Sequence, residues 1–234
     1  MNFVFTPPVL PAVPVTNSAA SFPVHRIYCV GLNYAKHQEE MGHAERAAPF
    51  FFMKPADAVV PVVEGTVGRM RYPTLTNDLH HEVELVIAIG TGGRHIDPAD
   101  ALRHVWGYAV GLDMTRRDLQ SDMKKQGRPW CIGKGFEQSA PVGPIVPIDR
   151  CEWGPDSEIA LEVNLEVRQR GNLGQMIWSV PEIISKVSSA WTLAPGDLIF
   201  TGTPAGVAPV VAGDRMCARI EGVGTLAVDV VEAE

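Results

Sequence analysis

Two glutamates one residue apart, Glu82 and Glu84, and an aspartate ending an apolar run, Asp113, are the types and spacings in this sequence best suited to chemistry. On a strand, residues i and i+2 share a face, so both glutamate carboxylates point the same way. The Leu-Val-Ile-Ala-Ile that follows is too apolar to leave a like-charged pair uncompensated, and a cation is expected there. If the segment ending at Asp113 lies alongside, three carboxylates converge. Three oxygen donors without a Cys or His partner select a hard ion, Mg2+ or Mn2+, over zinc, with about three octahedral positions left for water and substrate. An isolated Glu-x-Glu by itself reads first as the solvated edge of a sheet.

His37 and Glu40 stand at i and i+3, the spacing at which a helix lets a carboxylate orient an imidazole and raise its basicity toward that of a general base. A surface His beside a Glu on a helix has the same spacing. His80 and His81 directly precede the glutamate pair, where either could support a metal ligand, but they read first as turn histidines facing water. Lys134, between Gly133 and Gly135, and Lys54, in Phe-Met-Lys-Pro, are placed to present a charge to an anion from a buried stem. Lys124 and Lys125 fit one solvated helix face. The run Thr201-Gly202-Thr203-Pro204-Ala205-Gly206-Val207 offers backbone N–H groups and a hydroxyl to a carboxylate. It lacks P-loop spacing, and no Gly-x-Gly-x-x-Gly follows a strand, so nucleotide binding has no support.

The elements that must position these groups follow from hydrophobic pattern. Arg26 to Val30 predicts a strand ending at Gly31, followed by a short helix over 33–41. Phe50 to Met53 and Ala58 to Val60 predict short strands, and Glu82 to Ile89 a strand running from a site into the core. Asp97-Pro98 predicts the start of a short helix, leading to a strand over Val105 to Asp113. A surface helix is expected within 114–128, stopped by Gly127. Ile159 to Arg168 alternates, with Leu161, Val163, Leu165 and Val167 on one face, and Gly171-Asn172 is expected as its hairpin turn. Ser179-Val180-Pro181-Glu182 opens an amphipathic helix, and strands are expected at 198–201, 216–220 and 225–231. Strands outnumber helices and several are sequence neighbours, so an α+β, mostly β body fits better than a doubly wound parallel sheet.

Composition narrows the function classes. The 234 residues carry a net charge of −7 and are 46% hydrophobic, enough for a sizeable core and contrary to a general affinity for nucleic acid. The longest apolar runs fall far short of a bilayer span, so no membrane partner is expected. Residues 1–23 hold five prolines and no signal-peptide pattern, which predicts an extended arm lying on a surface, ahead of a single body over 24–234. Cys29, Cys131, Cys151 and Cys217 are scattered, as expected for reduced thiols in a cytoplasmic protein.

Several blocks together carry a resemblance. They are Gly31-Leu32-Asn33-Tyr34 with His37 and Glu40, Phe52-Met53-Lys54-Pro55, and His81-Glu82-Val83-Glu84-Leu85, then Gly111-Leu112-Asp113-Met114-Thr115-Arg116-Arg117-Asp118-Leu119-Gln120, Gly133-Lys134, and Pro195-Gly196-Asp197 through Gly206-Val207. In order and number they resemble the fumarylacetoacetate hydrolase family over roughly residues 24 to 231, most closely its acylpyruvate hydrolases. The resemblance implies a mixed β-sandwich or roll with short helices, assembled as a homodimer, with Mg2+ or Mn2+ held by Glu82, Glu84 and Asp113. It implies His37 and Glu40 as a catalytic dyad on a lid helix and Lys134 as the catalytic lysine. Arg117, Gln120 and Thr203 then bind the substrate's polar groups, with Lys54 as a supporting cation. Leu32 stands where many acylpyruvases have arginine, and Leu173 and Gln175 replace smaller or acidic residues.

The activity so implied is cleavage of the C3–C4 bond of a small anionic 2,4-diketo acid, fumarylpyruvate to fumarate and pyruvate in gentisate-type aromatic degradation. The same constellation serves oxaloacetate decarboxylation and the isomerisation or decarboxylation of hydroxylated diene diacids. A homologue that binds metal or small acids without turnover is the reading from outside enzymology.

Overall fold

The computed structural model describes residues 2–34 and 48–233. At its centre is the run Val83–Ile89, buried along its whole length. Its odd-numbered residues, Val83, Leu85, Ile87 and Ile89, join the larger apolar core, whereas Val86 and Ala88 face a smaller one. Alternation therefore gives this strand two apolar faces, as it does for any strand covered on both sides. Glu82 and Glu84 share the parity of the smaller core and stand at its end.

Around this strand the main sheet takes the order Phe50–Lys54, Arg26–Gly31, Asp197–Phe200, Val83–Ile89, Val105–Leu112, Ala140–Val142 and Val59–Pro61, with Val146–Pro147 also paired to Val105–Leu112. It is mixed: Asp197–Phe200 runs parallel to Arg26–Gly31, and Ala140–Val142 parallel to Val59–Pro61. A five-stranded sheet in the order Glu166–Asn172, Glu158–Val163, Arg215–Ile220, Gly224–Val231 and Gly68–Arg71 supplies Ile159, Leu161, Met216, Ile220 and Val228 to the larger core. The body is thus mostly β, as the pattern of elements predicted, and a mixed sandwich with short helices, as the resemblance implied. Among the described residues no helix is long and apolar enough to cross a membrane.

Three local expectations are corrected. The alternating stretch after Ile159 is two strands, turning at Asn164-Leu165 with φ of 51° and 70°, and Gly171-Asn172 lies at the end of the second strand. Asn tolerates a left-handed backbone, so the turn forms where the apolar alternation masks it, and Leu165 is left 91% exposed. Asp97 does cap the Ala99 N–H, at 2.9 Å, but the helix expected there is a set of three-residue turns ending in the 3-10 segment Ala101–His104. Its few residues must already enter the strand at Val105, which favours the tighter winding.

The third correction concerns the extended arm expected over 1–23. Ala12–Pro14 and Ser21–Pro23 pair as an antiparallel hairpin, and Val13, Phe22 and Val24 close the smaller core. The apolar residues between the prolines outweigh the tendency of proline to keep the chain extended in solvent. Arg26 and His25 then anchor the following strand by bonding the buried Asp197 carboxylate, at 2.7 to 3.0 Å.

The helices obey their end signals. Ser179 and Glu182 form a capping box for Val180–Ala190, which buries Ile183, Ile184 and Val187. Arg117–Lys125 ends ahead of Gly127, which takes φ of 63°. The turn geometry carries a prediction. Replacing Leu165 by Gly removes a left-handed backbone penalty of about 1 kcal/mol and exposes nothing that is packed. L165G is expected to raise the midpoint of urea denaturation, and an unchanged or lower midpoint would refute the strain assigned to this turn.

Candidate active site

Antiparallel register brings the three acids together. Val83 lies opposite Leu112 and Glu84 opposite Gly111, and the Asp113 N–H continues the ladder to the Glu82 carbonyl at 2.9 Å. One oxygen from each of Glu82, Glu84 and Asp113 lies within 4.8 Å of the others, and all three residues are buried. Burial, reinforced by the charges of Asp113 and Glu82, pushes the Glu84 carboxyl well above the usual carboxylate range. The Gly202 N–H, 2.7 Å from Glu84 Oε2, and the Lys134 charge oppose that rise.

Three cations answer the three acids. Lys134 Nζ donates to Glu82 Oε2 at 2.9 Å and to Asp113 Oδ2 at 2.7 Å. Burial disfavours its charge, but Asp113 and Glu82 together overcome that and hold its pKa above the ordinary lysine value. These contacts make Lys134 a source of positive charge beside the carboxylates. Arg117 pairs with Glu82 Oε1 and donates to Gln120 Oε1 at 3.1 Å.

Lys54 Nζ lies 2.8 Å from Asp113 Oδ1 as an ion pair and donates to the carbonyls of Met114 and Lys134. Its side chain is wholly enclosed, behind Asp113 and off the cleft wall. The placement of Lys54 beside substrate is thus corrected: its apolar stem and three oxygen partners draw it inward.

The local sequence explains the placement of Lys134. It ends the short helix Cys131–Lys134, and a Cβ at Gly133 would lie 2.8 Å from Cα of Gln120. Glycine lets this turn press against Arg117–Lys125, so Lys134, Arg117 and Gln120 reach one cleft. Glu82, Glu84, Asp113, Arg117 and Lys134 form its charged floor, Gln120 and Thr203 add polar wall, and Leu32, Phe52 and Trp130 make an apolar side. Leu32 reaches that wall from a backbone with φ of 58°. Leu173 instead enters the core, and Gln175 caps its own turn by accepting the Asn172 N–H. Of the three departures from the acylpyruvase pattern, then, Leu32 lines the cleft. His37 and Glu40 lie outside the described residues.

The reading of His81 as a solvent-facing turn residue is corrected. It is fully buried, with Nδ1 2.8 Å from Gln169 Oε1, and burial lowers its pKa to about 4. His80 keeps some exposure and pairs with Asp78 Oδ1 at 2.9 Å. Two buried amides escape sequence reasoning. Asn33 accepts the Trp178 N–H at 2.7 Å and donates to the carbonyls of Trp178 and Thr201 at 3.0 and 2.7 Å, tying the end of its strand to the glycine-rich loop. Its place directly after a strand end was the available signal. Gln169 had none, because a change of register turns it inward.

The donor set fits a hard divalent ion: three carboxylates, no sulfur, no imidazole among the described ligand atoms. With Lys54, Arg117 and Lys134 the fixed charges balance, so a divalent ion would leave the centre positive by two, a charge that a dianionic substrate matches.

Known proteins bear the same stamp. The fumarylacetoacetate (FAA) hydrolase C-terminal family profile matches residues 26–231. The crystal structure of fumarylpyruvate hydrolase from Pseudomonas aeruginosa, in complex with Mn2+ and pyruvate, is 52% identical, with a TM-score of 0.97 over 99% of this chain and 100% of that one. The mitochondrial oxaloacetate tautomerase of Bos taurus is 44% identical over 212 residues, covering 88% of this chain and 94% of its own. The mitochondrial oxaloacetate decarboxylase of Dictyostelium discoideum is 42% identical over 200 residues, covering 86% and 90%.

Two outcomes follow from the electrostatics. Glu84→Gln keeps an oxygen for the Gly202 N–H but removes a costly buried charge. The metal-free variant is expected to melt no lower than the metal-free wild type, while Mn2+ affinity falls at least about tenfold; melting with and without Mn2+ decides, and an undiminished Mn2+ response would refute the ligand assignment. Below pH 6.5 the unfolded chain protonates His81 while the folded chain keeps it neutral down to about pH 4. In metal-free protein, stability is therefore expected to fall as pH drops through that window, with this group adding a slope of up to about 1.4 kcal/mol per pH unit. Urea denaturation should show a shallower slope for His81→Gln, and an equal slope would count against a neutral buried imidazole.

Proposed function

Since the chain belongs to the fumarylacetoacetate hydrolase family, we propose that it is a divalent-metal-dependent hydrolase cleaving the C3–C4 bond of a 3-acylpyruvate, with fumarylpyruvate as substrate and fumarate and pyruvate as products. One observation carries this reading: a cleft whose floor joins three converging carboxylates to Arg117 and Lys134, with an apolar wall beside them. The 2-oxo acid end of the substrate suits the charged floor, and the unsaturated acyl carbons suit Leu32, Phe52 and Trp130. Likeness over the full chain to a fumarylpyruvate hydrolase supports the choice of acyl group. The same reading takes the enzyme to be a cytoplasmic homodimer.

Glu82, Glu84 and Asp113 would hold Mg2+ or Mn2+, which would supply positive charge where the 2-oxo oxygen gains negative charge. Arg117, Gln120 and Thr203 hold the polar groups of the substrate, and Lys54 keeps Asp113 in place from behind. His37, oriented by Glu40, takes a proton from water, and the hydroxide adds to the C4 carbonyl. Lys134 offsets the charge of the tetrahedral intermediate. The C3–C4 bond then breaks, its electrons passing to the pyruvate fragment, and C3 receives from His37 the proton taken from water. Hydroxide stays with the acyl carbon as the new carboxyl group, so one water is consumed.

A second reading has its own support, because curated relatives at 42% and 44% identity carry oxaloacetate decarboxylase and oxaloacetate tautomerase names. Oxaloacetate also presents a 2-oxo acid and develops enolate charge at the same oxygen.

Assay of fumarylpyruvate, acetylpyruvate and oxaloacetate with Mg2+ or Mn2+ separates the two. Stoichiometric fumarate and pyruvate from fumarylpyruvate are expected, and turnover of oxaloacetate alone would overturn the hydrolase reading. His37→Ala is expected to cut turnover at least about a hundredfold while Mn2+ affinity stays near wild type. Equal loss of both would refute its role as base.

A further inference from the structure

Gln169 is a wholly buried amide on the outer strand of the five-stranded sheet, and the mechanism above does not use it. It faces inward because of a β-bulge. Leu161 pairs with Gln169 and Glu162 with Val167, so Arg168 is an extra residue in the ladder. Glu166, Val167 and Arg168 are exposed in succession, and the phase of the strand shifts so that Gln169 turns toward the site. The glycine-rich loop packs directly onto this bulge: a Cβ at Gly206 would lie 2.1 Å from the Arg168 carbonyl oxygen.

The four bonds of the amide define one another. Oε1 accepts the Val83 N–H at 3.1 Å and lies 2.8 Å from His81 Nδ1. Nε2 donates to the Pro204 carbonyl at 2.8 Å and to Thr203 Oγ1 at 2.8 Å. A backbone N–H can only donate and a carbonyl can only accept, so Val83 and Pro204 leave the amide one orientation. His81 must then carry its hydrogen on Nδ1. Thr203 Oγ1 must act as an acceptor toward Gln169, which frees its own hydrogen for a different partner. Among the described residues no acceptor takes it, and Thr203 lines the cleft beside Glu82 and Gly202.

We propose that Gln169 is a positioning residue that sets the proton sense of Thr203, making this hydroxyl a fixed donor into the cleft and hence selective for an oxygen anion of the substrate. Gln169 also bonds the chain on both sides of Glu82, through the His81 ring and the Val83 N–H. A hydroxyl free to rotate would spend part of its time as an acceptor, repelling a carboxylate. Held as a donor, it needs no reorganisation when the anion arrives. The inference rests on the reading that the cleft takes an oxo acid anion.

The test uses the Mn2+-loaded protein and oxalate as the probe, with affinities measured by calorimetry for Mn2+ alone and then for oxalate. Thr203→Val is expected to weaken oxalate about tenfold or more, the scale of one hydrogen bond to a charged group, whereas Thr203→Ser retains affinity. Gln169→Met is expected to weaken oxalate to a similar degree, with Mn2+ affinity changed less than about twofold. The double variant Gln169→Met with Thr203→Val should bind oxalate no more weakly than Thr203→Val, because the amide acts through the hydroxyl. Multiplicative losses, or parallel loss of Mn2+ and oxalate in Gln169→Met, would overturn the proposal. If Gln169→Met does not fold, equal weakening by Thr203→Ser and Thr203→Val overturns it independently. Wild-type protein that binds Mn2+ but not oxalate would overturn the oxo acid reading and this inference with it, whereas normal wild-type binding with unaffected variants overturns this inference alone.

Discussion

Burying Glu82, Glu84 and Asp113 within 4.8 Å of one another is unfavourable unless positive charge is brought to them, and the chain around them is arranged to bring it. Lys54 arrives from the edge strand Phe50–Lys54, Arg117 from the start of its helix, and Lys134 from a single helical turn. The edge strand is distant in the chain from the other two, whereas the helix and the helical turn follow each other closely and pack together at Gly133. The glycine at position 133 and the N–H of Gly202 serve that end, one by allowing close approach and the other by meeting Glu84.

Charge compensation also explains why the centre is built at a sheet end and not within the core. Val83–Ile89 has apolar partners on both faces, so an acid further along it would have no room for three cations and a cleft. At the end of the strand, the smaller core stops and the loops of both sheets come within reach. The larger core, filled by the five-stranded sheet and the Val180–Ala190 helix, supports the fold. The price of the acidic centre is therefore confined to a region that the metal and substrate can themselves stabilise.

Polar clamps connect these two regimes. Asn33 joins the end of one central strand to the glycine-rich loop, and Gln169 joins that loop to the residues flanking Glu82. Each amide is buried with its hydrogen bonds satisfied, a condition under which such groups specify geometry more than they add stability. The placement of a hydroxyl hydrogen at the cleft is then decided two bonds away from it, on the other sheet.

Much of this was legible in the residues. The i, i+2 spacing of Glu82 and Glu84, the apolar run behind them and the aspartate closing the next strand carried the convergence of three acids, because strand alternation is a local rule. Capping signals likewise carried the Val180–Ala190 helix. Other features escaped because they depend on partners distant in sequence. The Asn164-Leu165 turn was hidden by an apolar alternation that runs through it. The prolines of the N-terminus masked a hairpin that forms only against the smaller core, and the burial of Lys54 and His81 was set by carbonyls and an amide contributed from elsewhere. Residue types and periodicity by themselves determined that acids, cations and strands of this kind would occur. Only the tertiary structure decided which cation meets which acid, which lysine reaches the cleft and which way Gln169 points, since a bulge of one residue reverses a side chain without altering composition or pattern.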